Sequence, residues 1–405
     1  MVRPGYKRTE VGEIPEDWRA TPLREIVDRS HPIAYGVLKP GVYVHGGIPL
    51  LQIGDVIHGA INIDRIHRIS EQLDRQYMRT RLIGGEIVVS LVGTIGKVAL
   101  IPPTLAGGNL HRNLGMVRVS GDHDSKFIAC FLTSGVAQGA IRLSTFGSTQ
   151  ALLNLADLRG LMVIAPPLVE QRSIAAAMYD ADALIESLEH LLAKKRAIKQ
   201  GAMQSLLTGA KRLPDFTGAW ETTPLGTICN IVVGRTPPRS DSRCWGAGSP
   251  WLTIADLRSK RVTQSKEQIT SHAKAAMRMV KQGTLMMSFK LSIGRLCFAG
   301  CDLFTNEAIC SFEQLQANAD YLYYALTRVD FSLYGKQAVK GYTLNQESLR
   351  SIAVPLPTSS EQAAIAEVLA ALEADLDATT AKLDKARALK QGMMQELLTG
   401  RIRLV

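Results

Sequence analysis

Residues 196–209 read Arg-Ala-Ile-Lys-Gln-Gly-Ala-Met-Gln-Ser-Leu-Leu-Thr-Gly, and residues 387–400 read Arg-Ala-Leu-Lys-Gln-Gly-Met-Met-Gln-Glu-Leu-Leu-Thr-Gly. Eleven of the fourteen positions are identical, and the two copies align without a gap at an offset of 191 residues. The likeness extends back to Pro166 in the first copy and to Pro357 in the second. The chain therefore contains an internal duplication, which organises the rest of the sequence.

Each copy predicts one long helix. Apolar side chains recur at alternating steps of four and three, which is the a/d pattern of a coiled coil. These positions are Ile174, Met178, Ala181, Ile185, Leu188 and Leu192 in the first copy, and Ile365, Leu369, Leu372, Leu376, Thr379 and Leu383 in the second. Gly209 and Gly400 are predicted to end the helices in a left-handed conformation. A helix over 170–208 would be about 58 Å long, at about 1.5 Å per residue.

The charges on both predicted helices are polarised, with acidic residues first and basic residues last. The first copy has Asp180, Asp182, Glu186 and Glu189, followed by Lys194, Lys195, Arg196 and Lys199. The second has Glu373, Asp375 and Asp377, followed by Lys382, Lys385, Arg387 and Lys390. Antiparallel pairing places each acidic half against a basic half, and we favour it for that reason. The alternative interpretation is that the polarity only suits each helix's own macrodipole.

A weaker repeat precedes each helix. Residues Ile48–Asp55 parallel Ser249–Asp256, and Gly85–Lys97 parallel Gly283–Arg295. The short β-type runs in these segments are bounded by Gly, Pro and Asn. We predict an α+β fold of two units, each with a mostly antiparallel sheet, short helices and one long helix, with the long helices paired as an antiparallel coiled coil of pseudo-two-fold symmetry. The predicted regions are residues 1–152, 153–212, 213–343 and 344–405.

The charge distribution suggests a polyanionic partner. The chain has a net charge of +10. Residues 1–150 carry +4 and residues 213–343 carry +5, whereas the repeat regions 151–212 and 344–405 carry +2 and −1. The excess lies in the two segments outside the long helices, and nucleic acid is the most plausible partner. We expect a cytoplasmic protein, because neither a signal peptide nor an apolar run of membrane-spanning length is visible.

Known catalytic motifs are not found. Residues Gly93–Lys97 resemble a phosphate-binding loop, but Leu91 and Val98 stand where a glycine and a hydroxyl residue are required. The six cysteines include no C-x-x-C pair, and the eight histidines form no ligand-spaced cluster. We therefore predict no catalytic residue, no metal site and no cofactor bound by this chain.

Three kinds of loop stretch differ between the two units and carry polar or basic groups, as recognition loops on a repeated scaffold do. They are Ser30–Gly47 in the first unit, Gly234–Gly248 in the second, and the segments just before each long helix, Phe146–Gln150 and Tyr334–Thr343. Candidate DNA-contacting residues are Tyr35, Lys39, Ser148, Thr149, Gln150, Arg235, Arg239, Arg243, Lys290, Lys336, Lys340 and Tyr342. For each of them, a solvated or phosphate-contacting role is the alternative to a base contact. Candidate partner-binding residues on the outer helix faces, for which solvation is an equal alternative, are Arg196, Lys199, Gln200, Gln204, Arg387, Lys390, Gln391 and Gln395.

Over essentially its whole length the chain resembles the specificity subunit of type I restriction-modification systems. The resemblance rests on residues Gly12–Trp18, Arg235–Pro238, Pro250–Asp256, Pro166–Gln171 and Lys199–Gly209, together with the second copy of the last two. The first unit departs from the usual Gly-x-Thr-Pro form and has Tyr-Gly-Val-Leu-Lys-Pro over residues 35–40, which suggests that the two units read different sequences.

The resemblance implies two target-recognition domains that bind double-stranded DNA. It implies assembly with two methyltransferase subunits and two restriction subunits, which would use S-adenosylmethionine, ATP and Mg. The expected target has two half-sites with an unread spacer. A fused enzyme, an orphan protein of this type without methyltransferase partners, and a coiled-coil scaffold that binds no DNA are the alternatives.

Overall fold

Two helices of 39 residues each, Leu168–Leu206 and Ser359–Leu397, are the longest elements of the protein. The computed structural model describes residues 2–57, 59–145, 152–334, 336–338 and 341–404, with the side chains of 336–338 and 341–343 excepted. The chain divides into two compact units, one of residues 1–189 and 382–405, the other of residues 190–381. Each long helix thus begins in one unit and ends in the other, a different division from the four regions drawn on the sequence.

In the first unit, the start of the first long helix packs against the end of the second. Ile174 and Met178 are buried in one core with Leu397 and Leu398. Arg387 Nη2 lies 2.5 Å from Glu189 Oε1, and Lys390 donates to Asp182. The paired residue numbers rise on one helix as they fall on the other, which confirms the antiparallel pairing.

The second unit contains the other half of the same pattern. Lys195 Nζ lies 2.6 Å from Asp375 Oδ1, and Lys199 Nζ lies 2.7 Å from Glu373 Oε1. Within each unit, an acidic half of one helix faces a basic half of the other. The acidic and basic halves seen in the sequence therefore form ion pairs between the two long helices.

The first unit is built on a four-stranded antiparallel sheet beside a three-stranded mixed sheet. Every residue of the two central strands, Ile87–Ser90 and Leu114–Val117, is buried, so both faces of these strands are covered. The strand order is Val98–Leu100, Ile87–Ser90, Leu114–Val117, Ala34–Tyr35 in the first sheet and Asn109–Leu110, Ile48–Leu51, His67–Ile69 in the second. Two-stranded ladders join Tyr6–Thr9 to Gly12–Pro15, Arg19–Pro22 to Met162–Ala165, and Val56–Ile57 to Ala60–Ile61. The short helices are Glu71–Gln76, Ser125–Thr133, Gly135–Thr145 and Leu155–Gly160.

The second unit repeats this plan with a larger main sheet. Its strand order is Asn230–Val233, Ile309–Glu313, Leu285–Ser288, Leu296–Ala299, Arg261–Val262, and only the last pair is parallel. The second sheet has the order Glu267–Ile269, Trp245–Leu252, Phe304–Thr305. Two-stranded ladders join Glu221–Pro224 to Ala353–Leu356 and Lys336–Ala338 to Gly341–Thr343. The short helices are Leu225–Ile228, Ser271–Lys274, Ala319–Leu326 and Gln346–Ser351.

The repeat in sequence is a repeat in local structure. Asp55 accepts from the backbone N–H of Gln52 at 2.8 Å, and Asp256 accepts from that of Thr253 at 2.8 Å. Each carboxylate closes a capping box on a single 3₁₀ turn. The predicted α+β architecture of two tandem units is confirmed. Gly209 and Gly400, with φ of +71° and +67°, adopt the predicted left-handed conformation after each helix.

In the described part of the chain, no single helix is both long and apolar enough to cross a bilayer. Taken together, the bent helix pair Ser125–Thr133 and Gly135–Thr145 is long and apolar enough to cross a bilayer, by length and composition alone.

Candidate nucleic-acid interface

A glycine lies against the backbone of a neighbouring strand in each candidate recognition loop, within Ser30–Gly47 of the first unit and at the start of Gly234–Gly248 in the second. A Cβ on Gly36 would lie 1.8 Å from the carbonyl oxygen of Leu110, and one on Gly234 would lie 2.3 Å from that of Thr305. Since the obstacle is backbone, no other residue fits at either position. The next N–H donates to the same carbonyl, from Val37 at 2.6 Å and from Arg235 at 2.9 Å. The two loops therefore leave their sheets in the same way.

In the second unit, aromatic rings and a carboxylate hold this loop. The guanidinium carbon of Arg239 lies 4.0 Å from the ring centroid of Trp245 and 4.9 Å from that of Trp251. The two rings meet edge to face at 5.0 Å. Arg239 also donates to both oxygens of Glu267, at 2.6 and 3.0 Å. The hydrogen bonds from Arg239 lower the pKa of Glu267.

Arg243 is also paired within its own loop. Its guanidinium donates to both oxygens of Asp241, at 3.0 and 2.9 Å, and these bonds bring the pKa of that carboxyl to about 2. Ligand atoms of Asp241, Cys244 and His272 lie within 4.8 Å of one another, which is metal-ligand spacing. Because Arg243 already pairs with both carboxylate oxygens, a cation there would compete with the guanidinium for Asp241.

Two cations and one carboxylate lie near the start of the same loop. The side chain of Arg235 is exposed and makes no hydrogen bond or ion pair with the described residues. Lys290 is half-buried, with Nζ 5.4 Å from the ring centroid of Phe289. Glu307 accepts a hydrogen bond from Thr236, which lowers the pKa of Glu307, and nearby Lys290 lowers it further. This end of the loop therefore presents both a free guanidinium and a charged carboxylate.

The first-unit candidates differ in exposure. Tyr35 lies in the edge strand opposite Gly115 and packs against the main core, so its ring serves packing. Lys39 is exposed on the loop. Ser148, Thr149, Gln150 and Lys340 lie outside the described residues, while Lys336 and Tyr342 are described only as backbone in a two-stranded ladder. The DNA contacts proposed for all twelve candidates stay predictions.

The candidate partner-binding residues fall into two groups. Lys199, Arg387 and Lys390 are used in the helix–helix ion pairs described above. Exposed side chains are those of Arg196, Gln200, Gln204, Gln391 and Gln395. In the second unit, a groove of about 520 Å³ is lined by Arg196, Lys199, Gln200, Met203, Thr327, Arg328 and Leu376. The exposed group remains available for a partner.

The sequence analysis missed a buried ion pair that occurs once in each unit. Arg403 donates to both oxygens of the fully buried Glu170, at 2.6 and 2.8 Å, and Trp18 Nε1 donates to the same carboxylate at 3.0 Å. In the second unit, Arg212 donates to Glu361 at 2.5 and 2.6 Å, and Trp220 at 3.2 Å. The sequence contained a signal for this pair, because Arg212 and Arg403 are 191 residues apart, which is the offset of the repeat.

The glutamine beside each buried glutamate joins the long helix to a short one. Gln171 accepts from the N–H of Asp124 at 2.9 Å, and Gln362 accepts from that of Asn318 at 2.8 Å. Asp124 and Asn318 cap the helices Ser125–Thr133 and Ala319–Leu326. The repeated Glu-Gln pair therefore ties the globular part of each unit to the coiled coil.

A second missed cluster lies on the coiled coil of the second unit. Glu373 accepts from Lys199 at 2.7 Å, from Lys260 at 2.8 Å and from Tyr324 at 2.9 Å. Burial raises the pKa of Glu373, but these hydrogen bonds outweigh it and bring the pKa to about 2. The corresponding residue of the first unit, Asp182, pairs with Lys390 at an exposed position.

Solved structures share this architecture. The type I restriction-modification S subunit of M. genitalium aligns with a TM-score of 0.59 at 17% identity, over 94% of this chain and 96% of that one. A chain from a study of complex assembly and conformational transition of the type I R-M system aligns with a TM-score of 0.57 at 17% identity, over 96% of this chain and 99% of that one. The fold is that of the specificity subunits of these systems.

The sequence gives the family directly. The family model for the type I restriction modification DNA specificity domain matches residues 33–195 and again residues 218–387. The chain belongs to this family. A relative from Methanocaldococcus jannaschii, provisionally named the type I restriction enzyme MjaX specificity subunit, is 25% identical over 98% of this chain and 97% of its own length.

Proposed function

We propose that this protein is the DNA sequence-recognition subunit of a type I restriction-modification complex. The observation that carries the proposal is the presence of two specificity domains in one chain, each with its own candidate recognition loop. Each unit would read one half of a bipartite, asymmetric site in double-stranded DNA. Because the loops differ in sequence, the two half-sites would differ as well.

The chain would choose the site and leave the chemistry to its partners. Two methyltransferase subunits would transfer the methyl group of S-adenosylmethionine to adenine, and two restriction subunits would use ATP and Mg. We propose no catalytic residue, metal or cofactor for this chain, and a cytoplasmic location. The exposed Arg196, Gln200 and Gln204 in the second unit, and Gln391 and Gln395 in the first, are the proposed contacts with partner subunits.

Affinity and specificity would come from different groups. Contacts of lysine and arginine with phosphates supply affinity that falls steeply with salt, whereas contacts with base edges supply specificity. Lys39 in the first unit and Arg235 and Lys290 in the second are the described candidates whose side chains make no ion pair within the described chain. They are the best-placed candidates for contact with DNA.

The long helices would set the distance between the half-sites. Each has 39 residues, about 58 Å at about 1.5 Å per residue, which exceeds one DNA turn of about 34–36 Å. An unread spacer between the half-sites follows from that length.

Lengthening both helices should lengthen the spacer. We expect four residues inserted after Glu189 and four after Thr380 to add about 6 Å, or about two base pairs, at about 1.5 Å per residue and 3.4 Å per base pair. Both insertions lie between the ion pairs of the first unit and those of the second, so the paired side chains keep their partners. The measurement is the methylated motif in cells that also express the methyltransferase subunit. An unchanged spacer in a stable, active variant would contradict this role of the helices.

A further inference from the structure

The loop Gly234–Gly248 contains three arginines whose surroundings differ. The guanidinium of Arg239 is stacked on Trp245 and forked onto Glu267. That of Arg243 is forked onto Asp241. That of Arg235 is exposed and makes no hydrogen bond or ion pair with any described residue. Three arginines that look alike in the sequence therefore have different chemistry available to them.

The pairing of Arg239 limits what it can contact. A guanine is read by two parallel N–H groups of one guanidinium, directed at O6 and N7. In Arg239 two such groups already point at the two Glu267 oxygens, at 2.6 and 3.0 Å, and one face of the group is covered by Trp245. A base contact through the edge that already faces Glu267 would require this ion pair to open. The contacts of Arg239 with Glu267 and Trp245 therefore suit a residue that stabilises the loop conformation.

The backbone of Arg235 is held by the residues that Arg239 stacks on. Trp251 Nε1 donates to the carbonyl oxygen of Arg235 at 3.0 Å, and the N–H of Arg235 donates to Thr305 at 2.9 Å. Trp245 Nε1 donates to the carbonyl oxygen of Pro238 at 3.1 Å, within the same loop. The contacts from Glu267 through Arg239 and Trp251 therefore reach the backbone of Arg235, and those through Trp245 reach Pro238 in the same loop.

We propose that Arg239 is a positioning residue for the recognition loop, and that Arg235 supplies the base contact in the half-site that the second unit reads. The base that Arg235 would take is guanine, the commonest partner of a free arginine fork in the major groove. Glu267 acts with Arg239, as the anion that fixes the orientation of its guanidinium. This assignment rests on the proposed function and separates two residues that the sequence alone treats as equivalent.

The test uses the full chain in complex with its methyltransferase subunit. Binding is measured to a duplex that carries the target motif, identified from the methylated sites in cells. It is also measured to duplexes with single base changes in each half-site. Each measurement is repeated over a series of salt concentrations. The variants are Arg235→Met, Arg239→Met, Trp245→Leu and Glu267→Gln. Thermal unfolding of each variant shows whether the second unit remains folded.

Arg235→Met should weaken binding to the intact motif by roughly 5- to 140-fold and remove discrimination at one G·C position. Arg239→Met, Trp245→Leu and Glu267→Gln should each weaken binding to the second half-site at all its positions. They should leave discrimination in the first half-site and the salt slope unchanged. If Arg239 positions the loop, Arg239→Met and Trp245→Leu should weaken binding to the second half-site in the same way. Each variant removes one of the two partners of a single stack.

Three results would overturn the assignment. In the first, Arg239→Met relaxes a single base position, as loss of a base reader does. In the second, it lowers the salt slope by about one, as loss of a phosphate contact does. In the third, Glu267→Gln strengthens binding, which would mean that Glu267 only restrains Arg239. A folded wild-type complex without sequence preference would instead contradict the proposed function itself, and this assignment with it.

Discussion

Replacing Arg403 with alanine should lower the free energy of unfolding of the first unit by about 3–5 kcal/mol, because it leaves a buried carboxylate without its counter-charge. The side chain of Glu170 is 0% exposed, so in the folded protein its charge is balanced by protein groups and not by water. Of the side-chain hydrogen bonds that described residues make to this carboxylate, the one from Trp18 would remain. Denaturant unfolding followed by circular dichroism measures the change. Arg212→Ala should have a comparable effect on the second unit, where Glu361 is 1% exposed.

Arg401 provides a matched control two residues away. It pairs with Glu396 at 3.3 Å, and both side chains are well exposed, so Arg401→Ala should change stability by about 1 kcal/mol or less. The double variant Glu170→Gln/Arg403→Met should recover part of the loss, since removing both charges avoids burying one alone. Equal effects of Arg403→Ala and Arg401→Ala would contradict the role given to the buried pair.

Replacing Glu373 with glutamine should lower the free energy of unfolding by about 3 kcal/mol at neutral pH. The pKa of this carboxyl is about 2 in the folded protein and 4.5 at its ordinary value. At about 1.4 kcal/mol per pKa unit, the difference gives this order of magnitude. The amide resembles the protonated acid, and it leaves Lys199 and Lys260 without the anion they share.

The sign of the pH dependence follows from the lowered pKa. The contribution of Glu373 is fully present above about pH 4.5 and is lost as the pH falls through about 2. Unfolding measured between these values should therefore show an acid-dependent loss that is about 3 kcal/mol larger in the wild type than in Glu373→Gln. The matched variant is Asp182→Asn in the first unit, whose pair with Lys390 is 49% exposed on the aspartate side and should cost about 1 kcal/mol or less. Equal losses in the two variants would contradict the prediction.

The sequence was sufficient to predict the scaffold because the scaffold depends on periodicity. The heptad positions predict which side chains of the long helices are buried. Ile174, Ile365 and Leu369 occupy such positions and are 0–1% exposed. The charge polarity gives the antiparallel pairing, which the ion pair of Arg387 with Glu189 confirms. The helix length of 39 residues was also correct, with each helix beginning two residues earlier than the Glu-Gln pair suggested.

The site was less predictable because it depends on contacts between residues far apart in the chain. Arg235, Arg239 and Arg243 are three arginines in one loop. Their positions in the sequence do not show that Glu267 pairs with Arg239 and not with the other two. Arg403 lies 233 residues from Glu170, and a repeat offset shows equivalence between units without showing the contact. Composition and motif give the family, whereas the role of each arginine requires its geometry.

The most direct test is to sequence modified bases in DNA from cells that express this chain with its candidate methyltransferase subunit. The control strain lacks only this chain. We predict methylated adenines in a two-part motif with an unread spacer, which disappear in the control. An identical methylation pattern in both strains, with both proteins expressed and co-purifying, would contradict the assignment of this chain as the subunit that chooses the site.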